Sequence, residues 1–236
     1  MAAEESTGQL TIGELLSEHT ITVKVGPDAK EYYIHKVLLV RHSGFFRGAL
    51  SSSVFQSAED GVVTLADIET GTFDGFAYWL YYREMKPKEQ WNEAYPPSRY
   101  EYASYTNGSL CATTRLTHWY VFADRFLVPD FKKLLMGVAF NLFEHSLSWY
   151  KDVIYAWANL PHNSSFLRLV VDAHCKNWDP ACDFYEEQSD IQALPGPFLY
   201  QVMRRQNECS KKGELCTLRE QSEYDEPSGH EERRTN

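Results

Sequence analysis

Chemistry in this chain could come from its cysteines, its histidines and one His-Ser step. Cys175 and Cys182 are separated by six residues, as are Cys209 and Cys216, and His174 adjoins the first pair. Structural zinc sites place about two to four residues between paired cysteines, so that both sulfurs reach one ion from a tight turn. A six-residue gap is too loose, and five cysteines make a poor disulfide framework. They read as free thiols, with no metal or cofactor expected. Arg41, His42, Ser43 and Gly44 run consecutively, setting a histidine beside a serine. Neighbouring side chains on a helix point about 100° apart, which keeps a base from its nucleophile. His118 and Asp124 complete a Ser-His-Asp triad only on paper. There is no G-x-S-x-G, G-x-x-x-x-G-K, H-E-x-x-H or dinucleotide fingerprint. No catalytic residue is assigned; an intracellular hydrolase stays as the remote alternative. Asn107-Gly108-Ser109 and Asn163-Ser164-Ser165 match the glycosylation acceptor and mark turn-like stretches.

Charge narrows the partners. The formal net charge of the 236 residues is −10, from 23 basic and 33 acidic side chains. Residues 1–19 carry four acids and no base, and 208–236 carry eight acids and five bases, leaving −3 for residues 20–207. A body without a basic excess argues against direct binding of nucleic acid. No run of about 18 apolar residues predicts a membrane span. The first residues, MAAEESTGQL, lack the basic and apolar stretches of a signal peptide, so a soluble intracellular protein is expected.

Those side chains must be held by something. Ile21, Val23 and Val25 alternate with polar residues, predicting a half-buried strand. Gly26-Pro27-Asp28 is turn chemistry, and Glu31 to His35 reads as the returning strand of a hairpin. Val37 to Val40 opens a short apolar helix ended by Ser43 and Gly44. Phe45, Phe46, Ala49 and Leu50 fit a second, with the two phenylalanines filling core, and Val62 to Leu65 reads as a third strand. From there the period becomes helical: Phe73, Phe76, Ala77, Leu80 and Tyr81; then Leu116, Trp119, Tyr120, Ala123 and Leu127; then Phe131, Leu134, Leu135, Val138, Ala139, Leu142 and Phe143. Tyr78 and Trp79, off the first of these stripes, pack under the following loop or mark a contact surface. Further helices are expected near 151–160, 164–177 and 195–207. The Tyr/Pro-rich stretch 84–114 reads as a long surface loop with room for one short strand. The fold class is α+β: a small β-sheet capped by a cluster of α-helices, with extra C-terminal helices. The expected divisions are an N-terminal segment 1–17, a domain 18–146, a helical extension 147–207 and a disordered acidic tail 208–236.

Ile21 to Gly26, Tyr32 to Lys36, Leu38, Leu39, Ser43 and Phe45 to Arg47 resemble the opening of a BTB/POZ domain. Val62 to Asp67 and Phe73 to Tyr81 resemble its third strand and next helix, and Ala123 to Phe131 its later helix pair. With its long loop and following helices, the chain is most similar to the fungal type with a C-terminal helical extension. The resemblance implies a non-enzymatic adaptor for protein partners, self-associating or partner-recruiting. It also implies a cullin scaffold as a partner, with the chain a substrate receptor of a ubiquitin ligase. A transcriptional or chromatin co-regulator acting through BTB dimerisation is the alternative. His35 and Lys36 are the most family-like pair and read as structural. Leu10, Ile12, Leu15 and Leu16 form an apolar cluster ahead of the first strand. The cluster either packs on its own domain or lies across a second copy. The resemblance leans toward the second, a homodimer.

Overall fold

The computed structural model describes residues 11–51, 61–96, 111–180 and 188–225. A short helix α1 (Ile12–Leu16) leads into strands β1 (Thr20–Val25) and β2 (Lys30–His35), then helices α2 (Lys36–His42) and α3 (Gly44–Ser51) and strand β3 (Val62–Leu65). The sheet order is β2-β1-β3. β1 pairs antiparallel with β2, Ile21 opposite Ile34 and Val23 opposite Tyr32. It pairs parallel with β3, Val23 opposite Val63 and Val25 opposite Leu65. Alternation sets this register: Ile21, Val23, Val25, Ile34, Val63 and Leu65 are all buried on one face, and a slip by one residue would turn that set to solvent.

Helices cover the buried face. α4 (Thr70–Tyr82) packs against α6 (Ala112–Arg125), which packs in turn against α7 (Pro129–Phe143). Between α4 and α6 lie a 3-10 turn (Lys88–Gln90) and the one-turn helix α5 (Trp91–Ala94). Beyond them come α8 (Tyr150–Asn159), α9 (Ser165–Asn177), α10 (Gln188–Ile191), α11 (Gly196–Lys212) and a last 3-10 turn (Gln221–Tyr224). The core is aromatic where α4 crosses α6 and α7: Phe76 lies 4.8 Å from Phe122, and Trp79 stacks 4.8 Å from Phe131. Gly75 makes the crossing close, since a Cβ there would sit 2.3 Å from Trp119 Nε1. This small mixed sheet under many helices is the expected α+β class.

Several expectations are corrected. The stripe on α4 buries Trp79 rather than Tyr81, which is 38% exposed, because α7 covers a second side of the helix. Leu127 does not continue the face of α6. The helix ends at Arg125, Phe126 is buried in its place, and Leu127 sits at φ +53° and is 61% exposed. Phe46 is core, but Phe45 is 39% exposed and lies edge-on to Phe126.

The 84–114 stretch is not a surface loop throughout. Trp91 and Tyr95, four apart, are buried against Trp119 with ring centroids at 4.9 and 5.2 Å. Trp91 Nε1 donates to the Lys86 carbonyl at 2.7 Å, and the buried Arg115 donates to Asn92 Oδ1. Residues 84–96 and 111–114 contain no strand; 97–110, with Asn107, lie outside the described residues.

Nor is the tail disordered from residue 208. Helix α11 runs to Lys212, and the chain then turns back as a strap ending in the fully buried Tyr224. The reason is a carboxylate. Asp172 on α9 is 1% exposed; its Oδ2 accepts hydrogen bonds from Tyr224 Oη at 2.6 Å and Arg219 Nε at 2.9 Å, and its Oδ1 forms an ion pair with Arg205, Nε at 2.8 Å. A buried charge is costly unless paired and hydrogen-bonded, so few apolar residues are needed to order a segment that supplies the pairing. Residues 226–236 lie outside the described residues.

Candidate interaction surface

The histidine, serine and aspartate candidates are occupied in holding the fold. Ser43 is fully buried; its Oγ donates to the Phe126 carbonyl at 2.6 Å and accepts the Phe46 amide at 3.1 Å, which caps α3. His42 lies edge-on to Trp79, with Asp130 at 3.8 Å. Burial, with Arg83 adding to it, lowers its pKa to about 4. His118 stacks 4.4 Å from Tyr155, and removal from water lowers its pKa to about 4 as well. Asp124 is taken by Lys132 at 2.6 Å, so the paper triad comes apart. His35 Nδ1 lies 2.8 Å from Tyr81 Oη, which also accepts the His35 amide, pinning the end of β2 to α4. The Lys36 amide donates to the His19 carbonyl. Among the described residues no three His, Cys, Asp or Glu side chains converge as metal ligands.

What remains is surface. At the front, Thr11 starts α1 with a capping box, its hydroxyl accepting the Glu14 amide while Glu14 returns to the Thr11 amide at 2.8 Å. Of the four apolar residues singled out there, Leu15 is half-buried and packs against the domain core. Ile12 and Leu16 belong to the same helix, but their side chains, like the whole of Leu10, lie outside the described residues.

Aromatic side chains are exposed elsewhere: Tyr33 on β2 is 65% exposed and Tyr82 at the end of α4 is 64% exposed. Tyr78 packs under the following segment, stacking on Tyr82 at 4.5 Å and meeting Tyr95 edge-on at 5.9 Å. β2 also carries ion pairs: Glu31 with Lys24 of the neighbouring β1, and Lys30 with Asp74 of α4.

A groove of about 370 Å³ lies between the α2–α3 turn and the α6–α7 turn, lined by Arg41, Arg47, Leu127, Asp130 and Lys132 among others. Arg47 is held there by the Val40 and Arg41 carbonyls at 3.0 Å each. Gly44 lets the two turns meet: its amide donates to the Leu127 carbonyl, and a Cβ on it would come within 3.0 Å of Leu127 Cβ. Period-two reading could have found Tyr33, the outward partner of Tyr32. Nothing in the spacing signals Leu127, whose exposure follows from a positive φ.

Strand order, the parallel return of β3 and the helical cap all bear on the family. Residues 13–100 match the family model of the BTB/POZ domain. Over that stretch, less than half of the chain, the sequence is similar to a BTB/POZ domain. No curated protein matches the chain. BTB/POZ domains form a protein-interaction family, generally without enzymatic activity. The matched segment holds the whole sheet, α1 but for Ile12, α2 to α5, Tyr33 and Tyr82; α6, α7 and the half of the groove they supply follow it. None of the described helices is long and apolar enough to cross a membrane.

Proposed function

We propose that this chain is a BTB-type adaptor inside the cell that pairs with a second copy of itself through its N-terminal segment, with Leu10, Ile12, Leu15 and Leu16 as the apolar contacts. The observation that carries the reading is α1 itself. A helix of five residues has no stability of its own in water, and Leu15, its described apolar side chain, is half-buried rather than fully covered. A second copy offers the remaining cover.

With its loop and following helices the chain is read as the fungal type with a C-terminal extension, and a cullin scaffold is the partner class this resemblance adds. A substrate receptor for a ubiquitin ligase is the corresponding role. Light scattering coupled to gel filtration tests the pairing on the full chain and on a form lacking residues 1–16. The full chain is expected as a dimer at tens of micromolar and the truncated form as a folded monomer. A monomeric full chain at that concentration overturns the reading and makes α1 an intramolecular lid. Mixing with a purified cullin N-terminal region tests the partner separately.

A further inference from the structure

The strap after α11 carries an unassigned pair of sulfurs. Gly213, at φ +67°, ends α11 in the left-handed conformation, and the Glu214 amide donates back to the Cys209 carbonyl at 3.1 Å. The chain then doubles back along the helix, held by Arg205 Nη2 donating to the Thr217 carbonyl at 3.0 Å. These two contacts bring Cys216 against the last turn of α11, with its Sγ 2.6 Å from Cys209 Sγ, well inside ordinary nonbonded contact between sulfurs. The third nearby thiol, Cys175, is turned to the Val202 carbonyl at 3.7 Å. Beyond the pair, the strap delivers Arg219 and Tyr224 to the buried Asp172.

We propose that Cys209 and Cys216 are a disulfide-forming pair, closed by a hydroperoxide, that fastens the strap to α11. Cys216 is half-buried and Cys209 buried, so Cys216 reacts first. Its sulfur attacks one peroxide oxygen, the O–O bond breaks, and a sulfenic acid and one water (or alcohol) result. The Cys209 sulfur then attacks the Cys216 sulfur; the S–O bond breaks and the hydroxyl leaves as a second water with the Cys209 proton. Two thiols are oxidised and one peroxide is reduced. Burial raises the Cys216 thiol to about 11, so little thiolate is present at neutral pH and closure is slow. The pair is a clamp and not a fast peroxide sensor.

The full chain, reduced or exposed to hydrogen peroxide for hours, is alkylated and digested with trypsin without reductant. Cleavage after Arg205, Lys211, Lys212 and Arg219 leaves Cys209 on peptide 206–211 and Cys216 on peptide 213–219. These two peptides are expected joined, at the summed mass less two hydrogens. Recovery of both fully alkylated, or of Cys216 joined to any other cysteine, overturns the assignment. Native-state cleavage after Arg219 is expected to slow roughly tenfold or more in the oxidised chain, an effect absent in Cys216→Ser. Equal cleavage rates before and after oxidation overturn the fastening role.

Discussion

Replacing Gly75 by alanine sets two effects against each other in one helix. In a helix interior alanine is favoured over glycine by about 1 kcal/mol, and with open space around it Gly75→Ala would stabilise. The space is not open. The added Cβ would lie 2.3, 2.4 and 2.7 Å from Nε1, Cε2 and Cζ2 of Trp119, against 3.4–4 Å for ordinary contact. The indole must therefore retreat by roughly 1 Å. It has little room: Trp119 is 1% exposed, Trp91 and Tyr95 meet it edge-on, and its Nε1 faces the Gly71 carbonyl at 3.5 Å. Overpacking of a tight core costs about 1–3 kcal/mol or more, and two weakened aromatic pairs add about 0.5–1.5 kcal/mol each. The clash outweighs the propensity gain, and a net loss of about 2–4 kcal/mol is expected. Urea unfolding followed by circular dichroism measures it. Gly48→Ala on α3, where a Cβ meets nothing within 4 Å, is the control and should be neutral or stabilising by up to about 1 kcal/mol. A Gly75→Ala protein as stable as wild type would refute the argument. So would strict additivity with Trp119→Phe, since the cost is assigned to that ring.

Leu135 is fully buried at the centre of α7, so Leu135→Ala should cost about 2–5 kcal/mol in the same assay; wild-type unfolding would take α7 out of the core. His42 and His118, both lowered to about 4, fold as neutral imidazoles, while the unfolded chain takes up protons near 6.5. Their contribution is thus intact above about pH 6.5 and is lost as pH falls toward 4. With allowance for water reaching His42, stability should drop by about 2–4 kcal/mol between pH 7 and about pH 5. Urea midpoints at the two values check this, and His118→Phe, which keeps the stack on Tyr155, should remove part of the slope.

The hairpin and α7 were legible because their patterns are complete within a few residues: Ile21, Val23 and Val25 on one face, and seven apolar positions from Phe131 to Phe143. Both need only one buried side, which is what a period reports. Trp79 escaped that logic because α7 buries a second side of α4. Trp91 and Tyr95 escaped it because a single pair at i, i+4 is too short to establish a period. The strap was illegible for another reason: its order rests on Asp172, 47 residues before Arg219 in the chain, and nothing local marks that aspartate as buried. Of the exposed surface, Tyr33 was within reach of a period-two reading, whereas the groove around Leu127 depends on backbone geometry.

The aromatic cluster joining α4 to α6 and α7 bears on how this module can be borrowed or moved. Phe76 and Trp79, inside the stretch that matches the family, rest against Phe122 and Phe131, which lie beyond it. Excising residues 13–100 as a cassette would leave two of the largest buried rings facing water. The helices that follow are therefore not luggage carried behind a self-sufficient head. They are the other half of its interior, and a fusion or deletion that respects the family boundary would cut through the folding unit.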